Sequence, residues 1–415
     1  MSDRNKLFLQ IAGFVAVILI LAWAIWATFF RAPGTSLVPG GTAPAVVGQL
    51  PGIGPSKGGN IAPEAPPSLL QPEPAPAAAV PDRVASGGRT RTEALTQDRA
   101  NFPALASNGF NYYNDGDGRF YRVSPNGGEP VAITDDVFNN VEKVTWAGAG
   151  DKAVLEFPDG ANIYYNFQTK ERATLPKAAR DFSFTVDGDS LGYKYLGEGQ
   201  EDRWLVASDP DGSGQQLIQP LINLDDASNV QVNWSPEKDI VATYRESTSA
   251  LGEEVFFLGL NNENFRSLQT NGLGFKGKWS PTGQQMLYSV FSPKTDWNPS
   301  LYIAGAELDN IGEGNRSLRL ATWPEKCVFA SETLLYCAVP QNLEQGSGLY
   351  PELANTVPDV IYKVDLASNL STPLAYPESS AGQNFTVENL MMAPDGRDLY
   401  FTDRATGRLE KLRLR

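Results

Sequence analysis

A motif that recurs seven times between residues 100 and 415 constrains the fold more than any other feature of the chain. Each copy has a short apolar strand ending in a bulky residue, then a polar turn and a second strand, as in VQVNWSPEKDIVATYRE and FKGKWSPTGQQMLYSVFS. Sequence self-similarity at a fixed period of this size is typical of repeat architectures such as propellers. The copies are mostly 38 to 50 residues apart and centre on Leu105, Trp146, Phe184, Trp234, Trp279, Phe329 and Met392.

Every copy is followed by a third strand-like segment, and six of the seven are followed by a fourth. Four short antiparallel strands form one propeller blade, and blades pack around a ring because a lone sheet cannot bury both faces. The sequence therefore predicts an all-β, seven-bladed β-propeller over residues 88–415, with six or eight blades as alternatives. Because the seventh copy has only three strands, we expect residues 88–96 to supply the outer strand of the last blade.

Composition narrows the range of functions. The chain has 34 basic and 48 acidic residues, a net charge of −14, and no histidine. An acidic chain is a poor partner for nucleic acid, since affinity for phosphate backbones comes from clustered Lys and Arg. Without histidine, the chain cannot form Ser-His-Asp or Cys-His catalytic arrangements or His-ligated metal sites. The sequence therefore predicts no nucleic-acid partner and gives no sign of a cofactor.

The N-terminal region begins with a membrane-spanning pattern. Residues 7–30 form a run of 24 residues without a charge, long enough for a helix to cross a bilayer. Arg4 and Lys6 precede the run, so the positive-inside rule predicts that residues 1–6 are a cytoplasmic tail and that the repeats lie outside. The prediction is a single-pass protein of the cytoplasmic (inner) membrane. A cleaved signal peptide is the alternative, because residues 22–24 have the small-x-small pattern.

A proline-rich segment connects this run to the repeats. Residues 32–85 contain 12 Pro, 8 Gly and 10 Ala, a composition that cannot bury enough apolar surface to offset its ordering entropy. We expect residues 31–87 to be a disordered linker that holds the propeller away from the membrane. A docking motif for a proline-binding module is the alternative.

The two cysteines lie on the first two strands of the sixth copy. If these strands form a hairpin, Cys327 faces Cys337 directly, at a separation of about 4.5–5.5 Å that suits a disulfide. An exported domain would also meet an oxidising compartment. The sequence predicts a disulfide, with two buried free thiols or a redox-active pair as alternatives.

The turns of the repeat resemble those of a known family. The WSP-x-x-x and APDG turns, with strand endings such as FYRVSPNGGEPVAIT, resemble the TolB-like (WD40-like or PD40) β-propeller repeats over residues 100–415. The resemblance implies a propeller domain. TolB itself has six blades, a separate N-terminal α/β domain and no membrane anchor. We therefore expect a membrane-anchored relative in fold rather than TolB itself.

Two acidic loops are candidates for calcium sites. Asp115 and Asp117 alternate with glycines, and Asp209 and Asp211 begin a similar loop. The second loop fails the EF-hand pattern, because its twelfth position is Pro220 rather than glutamate. Asp and Gly are also the residues that turn geometry favours. The sequence therefore predicts turns rather than metal sites.

Loop lengths indicate where binding residues lie. The long connections follow second or fourth strands, which emerge on one face of an up-and-down blade, and such loops commonly carry function. Trp297, Tyr350 and Tyr376 are candidate aromatic anchors there, although each could pack its own loop instead. Asp225 and Asp226 are a candidate acid pair for binding or for glycosidase-type chemistry, with a solvated loop as the alternative.

These features favour a non-catalytic function. The chain has no Ser-x-Asp-x-Gly-x-x-Trp box of the sialidases, and no α/β-hydrolase domain accompanies the repeats. The prediction is a protein–protein interaction scaffold for another protein of the cell envelope. A module that binds carbohydrate or cell-wall polymer is the first alternative, and a hydrolase or lyase that works without histidine is the second.

Overall fold

The computed structural model describes residues 69–70, 72, 80–222, 224–261 and 263–415, without the side chains of residues 224–226. The propeller belongs to a compact unit that comprises residues 65–415. The predicted membrane span at residues 7–30 lies outside the described residues, as does most of the predicted linker. No helix within the described ranges is long and apolar enough to cross a bilayer.

Seven sheets form the blades of the propeller, which we number 1 to 7 in chain order. The all-β, seven-bladed fold is thus confirmed, and the alternatives of six or eight blades are wrong. Blades 1 to 4 contain the strands Asn101–Ala106, Gly109–Asn114, Arg119–Val123, Val131–Ala132; Lys143–Trp146, Lys152–Glu156, Asn162–Asn166, Arg172–Leu175; Ala179–Phe184, Leu191–Leu196, Arg203–Ser208, Gln216–Pro220; and Val230–Val232, Ile240–Ser249, Gly252–Gly259, Leu268–Gln269. Blades 5 to 7 contain Leu273–Trp279, Gln285–Phe291, Pro299–Gly305, Arg316–Ser317; Cys327–Ser331, Leu334–Pro340, Asp359–Asp365, Leu370–Glu378; and Val387–Met392, Asp398–Asp403, Leu409–Arg413.

Helical segments are short and lie between the strands. The α-helix Leu224–Asn229 precedes blade 4. The 3₁₀ helices within the described residues are Gln200–Asp202, Pro293–Thr295, Leu308–Asn310, Pro324–Lys326 and Pro351–Ala354.

The hydrophobic core is divided among the interfaces between blades. Among the described residues there are seven buried clusters, and each joins two neighbouring blades. One cluster packs Phe110 and Tyr112 of blade 1 against Tyr400 and Leu409 of blade 7. The ring is therefore closed by apolar packing, as the need to bury both faces of each sheet requires.

In blades 2 and 5 the tryptophan of the repeat motif also connects neighbouring blades through a hydrogen bond. Trp146 Nε1 of blade 2 donates to the Phe102 carbonyl of blade 1 at 2.7 Å. Trp279 Nε1 of blade 5 donates to the Asn233 carbonyl at 2.9 Å, just after the first strand of blade 4. First strands have one edge without a neighbouring strand, so each indole satisfies a carbonyl that the sheet leaves unpaired.

The pairing of first and second strands shifts register in blades 1, 3, 5, 6 and 7. A bulge bends its strand and redirects the side chains next to it. A left-handed φ on a residue such as phenylalanine costs about 1–3 kcal/mol, so the surrounding packing must maintain it. At the shifts of blades 1, 3, 5 and 7 one residue has a positive φ, namely Phe102 (51°), Asp181 (56°), Gly274 (71°) and Asn389 (50°).

The segment predicted to close the last blade contributes to two blades. Glu93–Ala94 pairs antiparallel with Leu409–Arg413 and is the outer strand of blade 7. Arg89–Arg91 instead runs parallel to Leu370–Glu378 and adds a fifth strand to blade 6. The physical reason is an ion pair between the Arg89 guanidinium and the buried carboxylate of Glu378. Residues 88–96 are therefore not a single strand of the last blade.

Part of the predicted linker also packs on the propeller. Ala85 is buried in the cluster between blades 6 and 7, and its N–H donates to the Arg413 carbonyl at 2.9 Å. Leu70 N–H donates to the Arg319 carbonyl at 2.7 Å, beside the outer strand of blade 5. Backbone hydrogen bonds to strand edges fix these residues although their neighbourhood is rich in proline.

Cys327 faces Cys337 in the register of the first two strands of blade 6, and the structure joins them in a disulfide. Both residues are fully buried.

A bond that closes a loop of this size stabilises by roughly 3 kcal/mol in the chain-entropy model. We expect the Cys327→Ala/Cys337→Ala variant to lose about that much stability in urea unfolding. Dithiothreitol should lower the stability of the parent protein and leave that of the double variant unchanged. A parent protein whose stability does not change on reduction would contradict the prediction.

Candidate functional site

Two adjoining cavities open where the first strands begin, at one end of the central channel. Cavity 1 has a volume of about 380 Å³ and is lined by residues of blades 2 to 5 and by Glu325, which precedes blade 6. Cavity 2 has a volume of about 370 Å³ and is lined by residues at or near the first strands of blades 1, 5, 6 and 7 and by residues that follow the second strands of blades 6 and 7. The two cavities share Lys276 and Glu325. Together they draw on all seven blades.

Cavity 1 is lined by more cations than anions. Its charged lining residues are Lys143, Lys194, Arg245, Lys276, Asp181 and Glu325. The bulge of blade 3 directs the Asp181 carboxylate to Lys194, at 2.7 Å. Lys194 Nζ also donates to the Ala227 carbonyl at 2.7 Å. This lysine is therefore fixed at two points although it is almost fully buried.

The other three cations of cavity 1 have weaker partners. Lys143 Nζ lies 3.2 Å from Glu156 Oε1 in an ion pair that lacks hydrogen-bond geometry. Arg245 Nη1 is 3.8 Å from Glu253, and Lys276 Nζ is 3.8 Å from Glu325. Separations of 3.8 Å are too long for hydrogen bonds. These cations therefore retain donor groups that a ligand could use.

Cavity 2 has a fully buried carboxylate behind its wall. Asp359 Oδ2 accepts from Lys326 Nζ at 2.8 Å and from the Val387 N–H at 2.7 Å. Asp359 Oδ1 has no hydrogen-bond partner among the described residues. Burial raises the pKa of Asp359 above its ordinary value, while Lys326 opposes the shift. The pair fixes Lys326 at the edge of the cavity.

The remaining lining of cavity 2 combines aromatic and polar groups. Phe102, at the bulge of blade 1, and Trp323 contribute rings. Asn389, at the bulge of blade 7, and the ion pair between Arg404 and Glu388 contribute polar groups. The bulges of blades 1 and 7 thus bring side chains to this cavity.

Polar side chains also satisfy the channel edge of blade 5. Gly277 N–H donates to Gln231 Oε1 at 2.9 Å, and Gln231 Nε2 donates back to the Gly277 carbonyl at 2.9 Å. A Cβ at Gly277 would lie 2.7 Å from the Met286 sulfur and 2.8 Å from the Phe275 ring, so a larger residue would displace these buried side chains. Lys278 Nζ donates to the Cys327 carbonyl at 2.6 Å, and burial lowers the pKa of Lys278 to about 8.

Two of the predicted anchors lie on neighbouring loops at the same end of the propeller. Residues 293–298 follow the second strand of blade 5 and residues 341–358 follow that of blade 6; we call them together the loop ridge. Gly348 N–H donates to the Trp297 carbonyl at 2.8 Å. The Trp297 ring is partly buried against Phe291, whereas Tyr350 is 59% exposed. The ridge also supplies part of the wall of cavity 2.

The other predicted binding residues do not join this group. Tyr376 is buried in the cluster between blades 5 and 6, so its prediction as an exposed anchor is not met. The reason is that the fourth strand of blade 6 extends through Glu378, so Tyr376 lies in a strand rather than in a loop, and its side chain packs against blade 5. Asp225 and Asp226 lie in the helix Leu224–Asn229, and their side chains are outside the described residues.

The acidic loops form turns. Arg119 N–H donates to Asp117 Oδ1 at 3.1 Å, and Ser213 N–H donates to Asp211 Oδ1 at 2.9 Å. Such contacts are the usual Asx-turn arrangement. Within the described ranges, no group of three or more Asp, Glu or Cys residues is placed to hold a metal ion.

The sequence reasoning missed the basic residues of the channel mouth. For Lys143, Lys276 and Lys326 the signal was a charged residue within or next to an apolar first strand, as in EKVTW, FKGKW and EKCVF. Lys194 and Arg245 lie on the second strands of blades 3 and 4 and have no such signal. The first strand forms one edge of each sheet, and this edge faces the central channel. A charged side chain there can therefore reach the channel while its neighbours stay buried between blades.

No protein-family model matches the chain, and no curated protein sequence does so either. Among solved structures, an oligogalacturonate lyase in complex with manganese is similar with a TM-score of 0.53 at 12% identity, over 80% of this chain and 99% of that one. The propeller domain of Cps50 (Swd1) from Myceliophteria thermophila is similar with a TM-score of 0.51 at 10% identity, over 78% of this chain and all of that one.

TolB from Acinetobacter baumannii is similar with a TM-score of 0.42 at 12% identity, over 64% of this chain and 62% of that one. The chain also spans 34% of the length of the tricorn protease, another matched structure. Likenesses at this level of identity show a shared fold and nothing further. The protein is a seven-bladed β-propeller with a charged channel mouth.

Proposed function

We propose that this propeller is a non-catalytic recognition module of the cell envelope, anchored by residues 7–30 in the inner membrane, and that its loop ridge binds a protein partner. The observation that carries the proposal is the exposure of two adjacent large apolar side chains on the ridge, Leu349 at 47% and Tyr350 at 59%. Exposed apolar and aromatic residues on a loop are typical of interfaces, where tyrosine is enriched among energetically dominant contacts.

The backbone of the ridge is fixed without a partner. Gly346 N–H donates to the Asp296 carbonyl at 2.9 Å, which ties the two loops together. The Ser347 hydroxyl is fully buried and donates to the Glu344 carbonyl at 2.7 Å. A Cβ at Gly348 would lie 2.6 Å from the Phe291 Cβ, so the loops approach too closely for any other residue. A preorganised surface loses little conformational entropy on binding.

Two further features support the assignment to the envelope. The repeat turns resemble those of the TolB-like family, whose namesake is a periplasmic protein. The disulfide Cys327–Cys337 suits an oxidising compartment outside the cytoplasm.

A carbohydrate or cell-wall polymer is the second candidate ligand. Cavity 2 favours it, because the rings of Phe102 and Trp323 lie beside the amide groups of Asn355 and Asn389. A hydrolase or lyase, the third candidate, has the likeness to oligogalacturonate lyase, which extends to the fold alone. A glycan array with the purified protein would test the second candidate.

The test of the first candidate is crosslinking in intact cells with the full-length chain, followed by mass spectrometry of the partner. We expect Leu349→Ala and Tyr350→Ala each to weaken capture of the same partner about tenfold, equivalent to about 1.4 kcal/mol.

Leu370→Ala is the matched control. Leu370 is 58% exposed and follows a turn between third and fourth strands, at the opposite end of blade 6 from the ridge. The control should capture the partner as well as the parent does. Equal yields from all four proteins would overturn the assignment of the ridge as the binding surface.

A further inference from the structure

We propose that cavity 1 binds a small oxyanion, a molecule bearing carboxylate or phosphate groups. The proposal concerns a second site, distinct from the loop ridge and beyond the function proposed above. Four cationic side chains reach this cavity from blades 2, 3, 4 and 5. They are Lys143, Lys194, Arg245 and Lys276.

The charge facing the cavity is opposite to that of the whole chain. Four cations and two carboxylates line cavity 1, whereas the chain carries a net charge of −14. Two further carboxylates, Glu156 and Glu253, are not among the lining residues and lie largely buried beside Lys143 and Arg245. They hold the cations in place from outside the cavity, so an anion within it meets mainly ammonium and guanidinium groups.

Donor capacity supports the same conclusion. Lys194 has three N–H donors, and its contacts with Asp181 and the Ala227 carbonyl engage two of them. Neither Arg245 nor Lys276 makes a hydrogen bond to another described residue at its 3.8 Å ion pair. A guanidinium presents its donors as a planar fork that matches the two oxygens of a carboxylate or phosphate. One fixed lysine and two less constrained cations therefore form a binding set.

The same observations favour a small ligand over a polyanion. A volume of about 380 Å³ falls in the range of small-molecule sites. At physiological ionic strength the attraction of the cluster reaches only about 8 Å, whereas a long polyanion would extend beyond it over a chain with a net charge of −14. A compact molecule with one to three negative charges satisfies both limits.

The experiment is isothermal titration calorimetry on the full-length chain in detergent, with citrate and inorganic phosphate as separate probes at low salt. We expect at least one probe to bind, with an affinity that falls as salt rises. Arg245→Gln and Lys276→Gln should each weaken binding at least tenfold. The control is Lys170→Gln. Lys170 is an exposed lysine of blade 2 that pairs with Asp135 and lies outside both cavities, so its replacement should leave the affinity unchanged.

Each outcome decides the question. Binding of citrate alone assigns carboxylate ligands, and binding of phosphate alone assigns phosphoryl ligands. No binding of either probe overturns the proposal, as does binding that Lys276→Gln leaves unchanged. Lys276 is about half exposed, so its variant should fold even if Arg245→Gln does not. Tyr350→Ala should bind the probes normally, which separates this site from the ridge.

Discussion

Deleting residues 88–96 should abolish the cooperative unfolding of the propeller, because the segment supplies strands to two blades. Blade 7 would lose the pairing of Glu93–Ala94 with Leu409–Arg413, which leaves an unpaired strand edge. Leu95 would leave the apolar cluster between blades 7 and 1. The buried Glu410 carboxylate would also lose its hydrogen bond from the Thr92 hydroxyl at 2.7 Å. Differential scanning calorimetry should show no sharp transition, and gel filtration should show aggregates.

The control is deletion of residues 41–60, which lie outside the described residues and in the predicted linker. The sequence predicts that this variant unfolds like the parent, since the segment is poor in groups that could join a core. Two deletions with the same melting temperature as the parent would show that the ring does not depend on its N-terminal strands.

Replacing Asp359 with alanine should destabilise the protein by about 3–5 kcal/mol, the usual cost of removing one partner of a buried ion pair. The change leaves the Lys326 ammonium without its partner and the Val387 N–H without its acceptor. Urea unfolding followed by tryptophan fluorescence measures the difference. The exposed pair Asp395–Arg397 offers a matched control, for which Asp395→Ala should change stability by less than about 1 kcal/mol.

Two more variants separate charge from packing at this position. The double variant Asp359→Leu/Lys326→Met should recover much of the loss, since apolar pairs often replace buried ion pairs at little cost.

Because burial raises the pKa of Asp359, the folded state binds a proton more readily than the unfolded state does. The stability of the parent relative to Asp359→Asn should therefore increase as pH falls through the folded pKa. Equal stability of Asp359→Ala and Asp395→Ala would contradict the assignment.

The blade pattern was predictable because each copy of the motif is local. A strand, a turn and a second strand lie within about 17 residues, so Trp234 and Trp279 could be placed from their own segments. The same reasoning gave the facing positions of Cys327 and Cys337, which depend only on one hairpin.

Features that depend on distant segments were not predictable. Tyr376 is buried because its side chain packs against residues of blade 5, such as Leu320. The strand Arg89–Arg91 pairs with blade 6 and its Arg89 binds Glu378, which is 289 positions away. The bulge at Asp181 has no local signature, since its φ of 56° is maintained by contacts such as that with Lys194 on the neighbouring strand. The cationic lining of cavity 1 was missed for the same reason: it forms only when four blades come together.

The closure of the ring by the N-terminal strands has a consequence for biosynthesis. Thr92 leaves the ribosome early, whereas Glu410, its hydrogen-bond partner, follows 318 residues later. At roughly 5–20 residues per second, that interval is tens of seconds. Blades 1 to 5 can assemble during translation from neighbouring segments, but the outer strand of blade 7 must wait for nearly the whole chain. Throughout that time the nascent ring is open on one side, which makes this junction the natural place for a chaperone to act.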